Sequence, residues 1–123
     1  MSKLGFFIGE FNMLLVSALA IGLVIIVGFL MVSKIKKREP IPISYKIIHA
    51  TATFIGALIV VIAAFMGDFR LWTNIILALI IVALGLWMAF GKLKKPVAKS
   101  VLVCHATIGI ICYIIFIYYI ITL

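Results

Sequence analysis

The stretch YKIIHATATFIGALIVVIAAFM, residues 45–66, decides how this chain is read. It is apolar for about twenty residues and carries a lone imidazole, His49, in its first turns. Spanning the roughly 30 Å hydrocarbon layer of a bilayer takes about 20 apolar residues as a helix. An ionisable side chain within such a run is costly to place, so it marks a functional site by default. A second run, residues 99–123, opens in the same way. A lysine is followed by His105 in the same tripeptide, His-Ala-Thr, and the chain has no other histidine.

Working outward, two further runs are long enough to span. The four expected helices cover about residues 11–33, 45–66, 71–90 and 99–123, forming one transmembrane domain (1–123). The runs are unbroken and do not alternate. Only helices or closed barrels satisfy their backbone groups in lipid, so the fold class is all-α: an integral membrane four-helix bundle, up-down-up-down. The composition agrees, with 67% hydrophobic and only 11% charged residues in 123. A soluble domain is about 45–50% apolar and about 25% charged, and so small a globule could not hide the excess.

The net charge of +8 would suggest nucleic acid in a soluble protein. Here the cations sit between apolar runs and read as topology signals and lipid-headgroup contacts, so no nucleic-acid partner is expected. Lys34, Lys36, Lys37, Arg38 and Lys46 follow the first helix, and Lys92, Lys94, Lys95 and Lys99 follow the third. The other turn holds only Asp68 and Arg70. Short loops rich in Lys and Arg stay cytoplasmic, which puts both termini outside and both basic loops inside. Phe69, Trp72, Tyr118 and Tyr119 near the outer surface, and Trp87 near the inner one, suit headgroup-level belts. No cleavable signal peptide is expected, because Glu10 and Asn12 stand where a basic region and apolar core would be.

The chain also reads as two repeated helical hairpins. Lys34-Ile35-Lys36-Lys37 and Lys92-Leu93-Lys94-Lys95 each precede a proline-containing loop and then a helix opening on a lysine and His-Ala-Thr. Such a parallel repeat is related by an axis along the membrane normal.

His49 and His105 lie a few residues past Lys46 and Lys99, so both imidazoles fall within about 5 Å of one depth at 1.5 Å rise per residue. Two neutral imidazoles at equal depth on facing helices match what the iron of one haem b requires. The helix faces carrying them hold small residues: Ala52, Thr53, Gly56 and Ala63 with His49, and Gly109 and Cys112 with His105. Gly56 and Gly109 leave room for a macrocycle, although small residues also let helices pack closely without one. Thr53, one turn after His49, is the candidate to orient a ring through its second nitrogen. Thr51 and Thr107 point away from the rings and are expected to bond back to helical carbonyls. Lys46, Lys99 or Arg38 could pair with propionates, and topology alone accounts for them equally well. Zinc takes four close ligands, and Cys112 lies about 10 Å along the axis from His105, which favours haem. Cys104 and Cys112 are about 12 Å apart along one helix, too far for a disulfide.

On His49 and His105 the chain resembles the membrane b-type cytochromes built as four-helix bundles, the cytochrome b561 type. It is also similar to haem-bearing membrane anchor subunits of respiratory enzymes. The resemblance implies bis-histidine haem b and electron exchange with a quinone or a redox protein partner. Cytochrome b561 proteins usually carry four histidines and two haems, whereas this chain has ligands for one.

No P-loop, dinucleotide fingerprint, Ser/His/Asp set or carboxylate pair is present, so an electron carrier is expected rather than a complete enzyme. Two rivals stay open: a non-catalytic accessory or assembly subunit whose histidines bond between helices, and, more weakly, a small transporter. The polar-poor exterior suits a second copy or a different subunit as well as lipid.

Overall fold

The computed structural model describes residues 2–122. Four helices follow one another: α1 (Lys3–Lys36), α2 (Ile43–Phe65), α3 (Leu71–Phe90) and α4 (Lys95–Ile121). Every one is long and apolar enough to cross a membrane. Leu123, the expected end of the fourth helix, lies outside the described residues. The first helix starts earlier than its apolar run, because the Ser2 hydroxyl accepts from the Gly5 amide and caps it. At 1.5 Å per residue its 34 residues extend about 51 Å, so it protrudes well beyond a hydrocarbon layer. The fourth also starts early, with Pro96 in its first turn, where a missing amide hydrogen costs nothing.

The helices pack as a ring in chain order, α4 closing against α1. The diagonals α1–α3 and α2–α4 make no close backbone approach. The bundle is inside-out by aqueous standards. Phe54, Leu79, Phe90 and Ile114 are all more than half exposed, far beyond what a water-soluble monomer tolerates as contiguous apolar surface. The chain is an integral, multi-pass membrane protein.

Side-chain packing is concentrated at one end. Leu14, Ala18, Val60, Ala63, Ala64, Leu71, Phe116 and Ile120 form the buried core cluster, all in the half nearer the turn at residues 66–70. That turn reverses at Gly67, whose φ of +118° suits a residue without Cβ. Arg70 then grips Asp68 from Nε (2.9 Å) and Nη2 (2.8 Å), while its guanidinium stands 5.5 Å from the Tyr119 ring centre. The turn is thereby clamped to the end of α4.

The Asp68 side chain is only 6% exposed, so this pair is not an ordinary surface ion pair. The hydrogen bonds and charge of Arg70 hold the carboxyl below its usual value of 3.8. A carboxylate depressed in the folded state contributes stability that is complete above the unfolded pKa and is lost as pH falls through the folded one. The melting temperature in detergent should therefore drop as pH is lowered below about 4. Asp68→Asn should melt lower at neutral pH and lose that acid-limb slope. Parallel pH–melting curves for both proteins would contradict the clamp.

Candidate functional site: a paired histidine at the bundle centre

His49 and His105 come from the diagonal helices α2 and α4, yet their rings meet inside the bundle. The ring centroids are 6.4 Å apart with the planes inclined at 43°. Each ring is fixed by the helix that precedes it in the chain. His49 Nδ1 donates to the Val24 carbonyl oxygen of α1 at 3.0 Å, and His105 Nδ1 donates to the Ile81 carbonyl oxygen of α3 at 2.9 Å. A carbonyl only accepts, so the proton sits on Nδ1, and in the neutral ring Nε2 keeps its lone pair.

One turn beyond each carbonyl stands a glycine. A Cβ built on Gly28 would lie 3.4 Å from His49 Cε1, and one on Gly85 would lie 3.2 Å from His105 Cε1. Each imidazole therefore packs on bare backbone.

The same relation recurs one level deeper. Ser17 Oγ donates to the Gly56 carbonyl at 2.9 Å, and Asn74 Nδ2 donates to the Cys112 carbonyl at 2.8 Å. The same offset in numbering separates Ser17 from Asn74, Val24 from Ile81 and Gly28 from Gly85. One residue less separates His49 from His105 and Gly56 from Cys112. The two hairpins are thus repeats with matched contacts, and their interior, not the lysine motif, carries the register. Lys34 and Lys36 belong to α1, whereas Lys92 and Lys94 lie between α3 and α4.

Bonds of this kind between membrane helices contribute about 0.6 kcal/mol each on average. They fix register and ring orientation; packing supplies most of the stability. Asn74 is the exception in kind: it is 4% exposed and its Oδ1 has no hydrogen-bond partner.

The remaining predicted site residues divide. Thr53 does not orient a ring: its hydroxyl donates to the His49 carbonyl of its own helix at 2.6 Å, and Val24 does the orienting instead. Gly56 does not border the imidazoles. It packs against α1, where an added Cβ would meet Ile21 Cγ1 at 2.7 Å and something would have to shift. Gly109 has open space, with nothing within 4 Å of a built Cβ. Lys46 and Lys99 are exposed on the lysine-bearing end, and Thr51 and Thr107 are exposed on the bundle surface.

Among the described residues, no group of three or more His, Cys, Asp or Glu comes together to hold a metal ion. The chain itself offers two imidazoles and nothing more at this level. Sequence reading missed Val24, Gly28, Ile81 and Gly85. The glycines had a signal, since each precedes its histidine at nearly the same spacing, one residue apart between the hairpins, but a backbone carbonyl has none.

Fold and site together define a class: a membrane four-helix bundle of two repeated hairpins with a histidine pair on its axis. Comparison with protein-family models, with curated proteins and with solved structures gives no match to this chain.

Proposed function

We propose that this chain is a membrane electron-transfer protein holding one haem b through Nε2 of His49 and Nε2 of His105. The observation that carries the reading is the spacing of the rings, with both of them tied by Nδ1. Two imidazoles on opposite sides of one metal ion, each nitrogen about 2.0 Å away, have centroids about 6.3 Å apart, against the 6.4 Å found here. A ligating histidine generally donates its other ring hydrogen to a carbonyl or carboxylate, which fixes its tautomer and raises its basicity.

Three features are compatible with a macrocycle at this level. The packed core stays in the other half of the bundle, the space beside Gly109 is open, and both rings lie against glycine. His49 and His105 would hold the iron of such a group, which needs two ligands from the protein. Such a haem supplies a reversible one-electron iron couple. Of the chain's own residues, Val24 and Ile81 hold the rings, and the surrounding hydrocarbon excludes water. The pair lies nearer the lysine-bearing end, which we read as cytoplasmic. Exchange there would be with a quinone or a redox protein.

The second reading has an observation of its own. The same Nδ1 bonds fasten α2 to α1 and α4 to α3, as Ser17 and Asn74 do, so the histidines serve as interhelical ties in an accessory subunit. Ring pairs also meet ordinarily at centroid separations of about 4.5–7 Å. The absorption spectrum of protein purified from a haem-replete host separates the two. Sharp reduced α and β bands at one haem per chain are expected, and a colourless, folded protein would overturn the electron-transfer reading.

A further inference from the structure

An apolar groove of about 300 Å³ runs along the outer surface between α1 and α2, lined by Leu23, Ile47, Ile48, Thr51, Ala52 and Ile55. It lies on the lipid-facing side of the His49 anchor, since Leu23 adjoins Val24 and Ile48 adjoins His49. The repeat shows what makes the groove. By the offset that relates the histidines, Ile47, Ile48, Thr51 and Ile55 correspond to Val103, Cys104, Thr107 and Ile111. Ala52 alone is matched by a much larger residue, Ile108, whose side chain would fill the equivalent space. Ala52, itself buried, lines the groove, and a larger side chain there would fill it.

Polar groups stand above this groove on both helices. Ser44, Ile48, Thr51 and Ile55 fall on one face of α2 and Leu23, Leu30 and Lys34 on one face of α1, by helical spacing, with Lys37 capping the end of α1. Every Lys and Arg of the chain except Lys3 and Arg70 belongs to this end. Its only carboxylate, Glu39, is already paired with Lys34. Lys36, Lys37 and Arg38 are exposed and uncompensated. A membrane-facing apolar slot capped by a hydroxyl and unneutralised cations is complementary to a lipid with an anionic head.

We propose that this groove binds one anionic phospholipid, an acyl chain lying against Ala52 and its phosphate meeting Ser44 and the uncompensated Lys37. General attraction of the basic end for anionic lipid would not depend on residue 52, and the proposed site does. This inference does not rest on the histidines holding haem, and its test reads lipid and not colour.

The full-length protein is equilibrated in mixed micelles with equal phosphatidylglycerol and phosphatidylcholine of identical acyl chains, then examined by native mass spectrometry. One retained phosphatidylglycerol is expected, in clear preference to phosphatidylcholine. Ala52→Ile, which imports the residue of the second hairpin, should lose it. Thr51→Phe fills the same groove from an exposed position and should do likewise should Ala52→Ile fold poorly. Lys37→Gln should lower the preference by about fivefold. Equal retention of both lipids by the natural sequence, or undiminished phosphatidylglycerol in a folded groove-filling variant, would overturn the proposal.

Discussion

His105→Ala purified from a haem-replete host should lack the reduced α and β bands, and His49→Ala should lack them equally. Even a partner that merely hydrogen-bonds a metal ligand is worth about 10–100-fold in affinity, so removing a ligand itself should cut haem content by more than about tenfold. The two residues should count the same, because the hairpins hold them the same way: Nδ1 to a carbonyl at 3.0 and 2.9 Å, ring on glycine. Loss of the interhelical bond alone costs about 0.6 kcal/mol, and no more than about 1.7, which leaves the bundle folded.

Glutamine at either position isolates the two roles. Its amide still donates to the Val24 or Ile81 carbonyl, but it offers no imidazole lone pair. His49→Gln and His105→Gln should melt within a few degrees of the natural protein and yet bind no haem. A pigmented Gln variant would show that these nitrogens are not the ligands.

Much of this architecture is legible in the chain, and the reason is physical. Spans such as 45–66 and 71–90 have to be helical, because lipid offers their backbone groups no other partner. Hydrophobic length therefore fixes the elements more tightly than propensity does in water. The ends are less determined, since α1 runs on past its apolar stretch into headgroup or water, where the Ser2 cap and not the solvent sets the limit.

At the site, the histidines announce themselves by cost. For Thr53 and Gly56, a helical wheel says which residues share a face but not which neighbour that face meets. Gly56 meets Ile21, and the hydroxyl of Thr53 finds its nearest acceptor within its own helix. Val24 and Ile81 act through backbone oxygens that every residue possesses. Nothing in their side chains could reveal them. The repeat could have, had Gly28 and Gly85 been aligned along with the histidines.

Those two glycines furnish the sharpest test of how the rings are held. A methyl group at position 28 would sit 3.4 Å from His49 Cε1, an ordinary contact, whereas at position 85 it would sit 3.2 Å from His105 Cε1, and the ring must yield. Alanine is also the better helix former by roughly 0.5–1 kcal/mol, so Gly28→Ala should be neutral or slightly stabilising in a melting curve. In Gly85→Ala the same gain offsets the crowding, and melting should change little. Haem content tells them apart: Gly85→Ala should fall below Gly28→Ala, because displacing the ring lengthens its 2.9 Å bond to Ile81 and turns Nε2 off its line. Valine forces the issue at either site. Overpacking of this kind costs about 1–3 kcal/mol, and its branched carbon has no direction in which to avoid the imidazole. Gly28→Val and Gly85→Val should both melt lower and lose most of their pigment. A glycine that merely allowed close helix packing would make melting temperature and haem content fall together through the series. At position 85, one that positions a ligand separates them at alanine, where stability holds and the pigment does not.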